Sequence, residues 1–337
     1  MKSVILSIIM FLFLILIHEF GHFIIAKKSG IKVNEFAIGM GPKIFSKQKG
    51  ETLYSVNLFP IGGYCAMEGE DDESDDERSF DKAPAYKRFL TILAGPLTNL
   101  IFAAILFAIV SFNTGKPSTK IGGFTDNSPI KSQGLKINDQ ITEISGEKIN
   151  EFSDISKNLE NFYKNHGKNE KISLKFKRDG KEIEKNVKVK FEDKRPILGF
   201  IPKNVDVGFF EAIKIGIKEV GSMIVLMFTV LKSLFTGKLG FSALSGPVGV
   251  VKEMGRQANL GAMNLLFFLG YISVNLGFFN LLPIPALDGS KIFTSLFEMI
   301  TKKRVNKKIE EKFTIGGFIL LLSLILLVTI KDLINLF

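Results

Sequence analysis

Val4-Ile-Leu-Ser-Ile-Ile-Met-Phe-Leu-Phe-Leu-Ile-Leu-Ile-His18-Glu19-Phe-Gly-His22-Phe-Ile-Ile-Ala26 decides how this chain is read. The run is long enough to cross the hydrocarbon core of a bilayer, which takes roughly 20 apolar residues in a helix. Its only ionisable side chains are His18, Glu19 and His22. Ionisable groups at membrane depth are costly and mark functional sites. The apolar part is too long for a signal peptide, carries this motif and is followed by no small-x-small cleavage site, so the segment is expected to be retained.

Three further stretches have spanning length, at residues 89–112, 262–282 and 313–330. The chain is therefore expected to be a polytopic α-helical membrane protein with about four transmembrane helices. Its 46% hydrophobic content and positive mean hydropathy agree. The net charge of +10 comes from scattered lysines with no nucleic-acid motif, so a membrane surface explains it better than nucleic acid. Basic residues close to span ends set orientation. Lys27, Lys28, Lys32, Lys43, Lys47 and Lys49 follow the first span, and Lys302, Lys303, Arg304, Lys307, Lys308 and Lys312 precede the last. Both groups are expected on the cytoplasmic side, which places both termini and residues 112–261 outside.

Read this way, residues 1–28 form the helix carrying the motif and residues 29–85 a cytoplasmic-side, membrane-associated β-hairpin with an acidic loop. Residues 86–113 form a second span, 114–200 an extracytoplasmic β-rich domain, and 201–261 an amphipathic external helix with a Ser-Gly-Pro segment. A broken span (262–289), a cytoplasmic helix with a basic loop (290–312) and a final span (313–337) complete the chain. In the hairpin, residues 52–59 alternate and end at Pro60 and Gly62-Gly63. The acidic run at 68–77 is expected to be a solvated, flexible loop. Residues 209–235 have helical periodicity interrupted by Lys214, Lys218, Glu219 and Lys232, and read as an amphipathic helix on the outer surface or against the other spans rather than a true span. In the external domain, Asp179-Gly180 between two strand-like runs is a hairpin turn.

His18 and His22 lie four apart and so share one helical face, where both imidazoles can reach one ion. Glu19 stands beside the first of them, placed to take a proton from a bound water. Cys65 is the only cysteine, which excludes a thiolate cage. Nitrogen and oxygen ligands with one open position suit Zn²⁺. A third ligand must come from elsewhere, and Asp288 is the best candidate. It ends Asn280-Leu-Leu-Pro283-Ile-Pro285-Ala-Leu-Asp288-Gly289, where two prolines break the third span. Broken helix at membrane depth is tolerated where it lines an enclosed or watery cavity. The alternative makes Asp288 the N-cap of the helix that follows.

His18-Glu-Phe-Gly-His22 paired with the Asn280 to Gly289 motif resembles the site-2 protease family of intramembrane zinc metalloproteases, its bacterial regulator-of-sigma-E protease branch above all. Glu35-Phe-Ala-Ile-Gly-Met-Gly-Pro42, Pro60-Ile-Gly-Gly-Tyr64, Ala94-Gly-Pro-Leu-Thr-Asn99, Ser245-Gly-Pro-Val-Gly249 and Ser273-Val-Asn-Leu-Gly277 agree with it. The resemblance implies zinc bound by His18, His22 and Asp288, and Glu19 as the base that activates water. It implies a role in handling the substrate backbone for Asn280, in the motif with Pro283 and Pro285. The external domain resembles a single PDZ domain, where the best-known Gram-negative members carry a tandem pair.

The resemblance further implies residence in a bacterial inner membrane, with the active site toward the cytoplasmic side. Expected partners are membrane lipid, single-span substrates such as anti-sigma factors or remnant signal peptides, and an upstream site-1-type protease. A substrate helix must unwind before its carbonyls are open to water. The edge of strand 52–59, with Tyr54, Val56 and Leu58, is expected to hold it extended by strand addition. Two other classes compete: a non-catalytic membrane scaffold with a PDZ-like partner module, and a metal transporter using the same ligands.

Overall fold

The structure, a computed structural model, describes residues 2–70, 74–167, 170–192, 195–240 and 245–334. The chain opens with α1 (Lys2–Ser29), β1 (Val33–Lys49), β2 (Thr52–Met67) and α2 (Ala85–Thr114). There follow β3 (Lys116–Phe124), α3 (Pro129–Ser132), β4 (Gln140–Ile144), β5 (Glu147–Lys148), α4 (Phe152–His166), β6 (Ile172–Arg178), β7 (Lys181–Val187), β8 (Lys190–Glu192), β9 (Arg195–Ile197) and β10 (Phe200–Val205). The last five are α5 (Phe209–Phe235), α6 (Pro247–Leu260), α7 (Ala262–Leu281), α8 (Asp288–Thr301) and α9 (Lys307–Ile334). Two compact units result, residues 111–209 and the remainder.

Among the described residues, four helices are long and apolar enough to cross a membrane: 3–29, 85–114, 262–281 and 310–334. They are the four apolar runs of the sequence, three of them lengthened at one end or both where polar residues continue the helix and the third run ending one residue earlier. Small residues let them approach closely. Gly21 of α1 meets the Ala94 carbonyl and Thr98 of α2, and Gly277 of α7 meets the Pro96 carbonyl. Gly255 of α6 lies against Ser3 at the start of α1, and Asp332 in the last turn of α9 accepts from the backbone N–H groups of Gly246 (2.9 Å) and Gly249 (2.8 Å). The first turn of α1, the whole of α6 and the last turn of α9 thus share one end of this unit.

α5 packs on α2 and α7 through a stripe of Ala212, Gly216, Val220, Met223 and Met227, with Gly216 against Ala104 and Ala108. Its opposite face exposes Phe210, Ile217, Val225 and Leu226. It lies against the other spans, one of the two placements its sequence allowed.

The region between α1 and α2 departs from a simple hairpin. Glu35 to Ile38 lie opposite Ala66 to Gly63 on one side and opposite Leu53 to Val56 on the other, while Lys43 to Lys49 pair with Asn57 to Thr52. β1 and β2 each double back, so four segments lie side by side in the order 61–67, 33–40, 52–59 and 43–49. Gly39, Gly41 and Gly62 have φ of 80°, 88° and 80° at the bends, where a side chain would be strained. Residues 52–59 are therefore interior to the sheet and offer no edge to a substrate, contrary to the sequence expectation. Tyr54 instead packs its ring on Phe23 of α1 and Phe36, with centroids 6.0 and 6.5 Å away.

The acidic run is also not a free loop where it is described. Glu68 and Asp76 both pair with Lys32, at 3.3 and 3.0 Å, and Glu70 pairs with Lys291 of α8 at 2.9 Å. Residues 71–73 of that run lie outside the described residues.

The second unit is a six-stranded sheet in the order β10-β3-β4-β6-β7, with β5 beside β4. Its core gathers Ile121, Ile141, Ile144, Leu174 and Phe176 under Ile155, Leu159 and Tyr163, which recur at helical spacing on α4. Asp179 and Gly180 take φ of 49° and 80° in the β6–β7 turn, as an Asp-Gly hairpin requires. β10 extends this domain past residue 200. Its Pro202 is tolerated because β10 is an edge strand, paired only with β3. Val205 lies opposite Lys116, so the chain enters and leaves this unit at one place.

Asp139 in this unit is 1% exposed and grips Arg178 through two bonds of 2.7 and 2.6 Å. Replacing Arg178 by methionine leaves that carboxylate buried and unpaired. The expected cost is about 3 kcal/mol, the low end for a broken buried pair because Arg178 is partly exposed. Faster hydrogen exchange in β4 and β6 of the full chain checks this; unchanged protection would contradict it.

Candidate metal centre

α1 carries His18 and His22 on the face turned to α2 and α7, and both are buried, at 8% and 5% exposure. α7 ends at Leu281, because Pro283 and Pro285 cannot continue it, and α8 begins at Asp288. In the turn between them Ala286 is held at φ 72°, a conformation disfavoured for a residue with a side chain. Gly289 packs against the Leu282 carbonyl with no room for a Cβ. The result returns the chain on itself and delivers Asp288 to the two imidazoles.

Asp288 Oδ2 lies 2.8 Å from His18 Nε2 and 3.3 Å from His22 Nε2, and the two Nε2 atoms are 3.2 Å apart. Its side chain turns to the imidazoles rather than capping α8, which disposes of the N-cap alternative. Oδ2 is buried and receives no hydrogen bond of acceptable direction. Three atoms thus converge on a common point rather than on each other. Ligands about 2.0–2.1 Å from a tetrahedral zinc stand roughly 3.3 Å apart, close to the edges of this triangle. The donor set, two imidazoles and a carboxylate, is one that zinc accepts with a fourth position open.

Two turns of α2 brace the site. His22 Nδ1 donates to the Thr91 carbonyl (2.9 Å), which directs its Nε2 lone pair to the triangle. Gly95 lies flat against the His22 ring, where a methyl group would overlap Nε2. Asn99 reaches His18 Nδ1 with its amide at 3.3 Å.

Glu19 sits beside the triangle, and the backbone N–H of Cys65 donates to its Oε2 at 3.1 Å. Burial above all, and then the neighbouring Glu19, push the Cys65 thiol well above its ordinary range. Cys65 therefore stays a neutral thiol and does not compete as a thiolate ligand. A cavity of about 260 Å³ opens on these groups, lined by His18, Glu19, Asn99, Asn280, Ala286 and Asp288 among others.

Of the expected substrate-handling residues, Asn280 lines this cavity. Pro283 is exposed, and Pro285 packs under Gly317 of α9, so both shape the turn instead. Val56 and Leu58 are 40% and 51% exposed on the sheet, away from the cavity lining. Thr91, Cys65 and Ala286 were not singled out from the sequence as parts of the site. Two of them act through their backbones, and the third is marked by its strained φ, none of which a side-chain pattern can show.

The description of peptidase family M50 matches residues 6–324. A Clostridium acetobutylicum protein is 40% identical over 331 residues, covering 98% of this chain and 97% of its own length. A Clostridium perfringens protein is 38% identical, covering 98% of each chain. A Staphylococcus aureus protein is 31% identical, covering 98% of this chain and 97% of its own. All three bear the name "putative zinc metalloprotease".

Proposed function

The chain belongs to peptidase family M50, the site-2 protease family, and is accordingly a zinc metalloprotease; from that premise we propose that it hydrolyses a peptide bond within, or at the edge of, the membrane helix of a single-span substrate. The observation that carries this reading is the convergence of His18, His22 and Asp288 beside Glu19, in a cavity walled by helices of spanning length.

In this reading His18, His22 and Asp288 hold zinc, and Glu19 is the general base. Zinc bound there would lower the pKa of a water toward ~7 and polarise the scissile carbonyl. Glu19 takes the water's proton and passes it to the leaving amine. The Cys65 N–H holds Glu19 Oε2, which leaves the other oxygen to carry the proton. Asn280, on the cavity wall, is placed to hydrogen-bond the substrate backbone.

The substrate strand is better accommodated at residues 61–67 than at 52–59. Residues 61–67 pair with β1 on one side only, and their other edge turns the Cys65 N–H toward Glu19. A segment added along that edge would run past the base, with backbone bonds supplying the affinity.

In this reading the chain resides in a bacterial inner membrane with the metal centre toward the cytoplasmic side, which the basic residues flanking the first and last spans support. The β-rich unit would then lie outside as a PDZ-like filter that excludes bulky external domains until an upstream site-1-type protease has trimmed them. Anti-sigma factors and remnant signal peptides fit such a substrate class.

The test places the purified chain in lipid vesicles with a single-span substrate lacking an external domain, and locates the cut by mass spectrometry. Cleavage inside the span, abolished by a zinc chelator and restored by zinc, is expected. Zinc-loaded protein that cuts no such substrate, or cuts only in soluble loops, would sink the proposal.

A further inference from the structure

The two imidazoles of the metal centre are held by partners of different kinds. His22 Nδ1 faces the Thr91 carbonyl, which can only accept, so a neutral His22 carries its proton on Nδ1 and presents its Nε2 lone pair. His18 Nδ1 faces a primary amide, which can either donate or accept.

Asn99 is fully buried, at 0% exposure. Its Nδ2 lies 3.3 Å from His18 Nδ1, while its own Oδ1 is buried with no hydrogen-bond partner. His18 Nε2 is the ring atom that points to the converging groups, 2.8 Å from Asp288 Oδ2. For Nε2 to ligate, the proton must sit on Nδ1, and the group facing Nδ1 must accept it.

Turning the amide by half a revolution exchanges Oδ1 and Nδ2, which occupy nearly the same positions. Oδ1 then accepts from Nδ1–H, and the orphaned acceptor finds its partner. The backbone beneath Asn99 is anchored for this task. Ser273 Oγ donates to the Asn99 carbonyl at 2.8 Å, and Thr98 Oγ1 donates to the Ile17 carbonyl at 3.1 Å.

We infer that Asn99 is the positioning residue that sets the His18 tautomer, its Oδ1 accepting from Nδ1–H so that the Nε2 lone pair faces the metal centre. The inference rests on the assignment of His18 as a zinc ligand.

The experiment measures zinc affinity of the full-length protein by competition with a chromophoric chelator, alongside ¹⁵N NMR of histidine-labelled protein, which has only three histidines to assign. Asn99→Leu removes the acceptor at similar volume and is expected to weaken zinc binding about 10–100-fold, the usual effect of losing a ligand's outer partner. Asn99→Asp restores an acceptor and is expected to keep affinity within about 3-fold of wild type by the same reasoning. In zinc-loaded wild-type protein the His18 proton is expected on Nδ1.

Wild-type affinity in Asn99→Leu would overturn the inference, as would an Asn99→Asp variant as weak as Asn99→Leu. So would a zinc-loaded wild type whose His18 Nδ1 is unprotonated, a readout that needs no variant to fold. Zinc binding indifferent to His18→Ala would remove the ligand assignment itself, and only that result would count against the metal-centre reading.

Discussion

Glu19→Gln is expected to lower cleavage of a membrane-embedded substrate by about 10²–10⁴-fold, the usual contribution of a positioned general base, with bound zinc unchanged. Glutamine has the shape of glutamate and keeps an oxygen for the Cys65 N–H, so the local geometry survives. What it loses is the capacity to accept and return a proton. Glu19 is not one of the three converging atoms, so metal content should not follow activity. Single-turnover cleavage and zinc content measured on the same preparations separate the two quantities. A variant that cuts within about 3-fold of wild type would exclude Glu19 as the base, since even a weak one contributes about 10²-fold. One that loses its zinc would make Glu19 a ligand instead.

Asp288→Ala is expected to act in the opposite order, metal first and activity as a consequence. It removes one of three ligands and leaves two imidazoles, whereas loss of an outer partner alone costs about 10–100-fold in affinity; the expected loss exceeds 100-fold. The backbone turn should persist, because Pro283, Pro285 and Gly289 shape it independently of the carboxylate. Zinc content after dialysis against a chelator reads the effect directly. Full zinc occupancy under those conditions would remove Asp288 from the ligand set.

The parts of this protein governed by local pattern were legible in its sequence. Apolar run length gave the four spanning helices, and the histidine spacing with the proline-broken turn gave the three converging groups. What escaped was non-local. Alternation marks residues 52–59 as strand but says nothing about how many neighbours a strand has, so the doubling of β1 and β2 was hidden. Gly39, Gly41 and Gly62 were visible as a motif, yet only the folded chain shows them as the bends that make it possible. The acidic run read as solvated because its partners Lys32 and Lys291 lie far off in sequence. Asn99 was quoted as part of a motif without a role. A strongly polar side chain within an apolar helix, four residues after a glycine, is a signal that such a role exists.

The distance along the chain between His22 and Asp288 governs when the centre can exist. During synthesis α1 is inserted first, and its histidines wait without a third ligand until the turn after α7 has emerged. At about 5–20 residues per second that interval lasts on the order of tens of seconds. Throughout it the nascent chain moves among other newly inserted, loosely paired helices, the very material such an enzyme could destroy. The late position of Asp288 means that the three converging groups come together only as the fold nears completion, so a centre built on them would form with the fold and not before it.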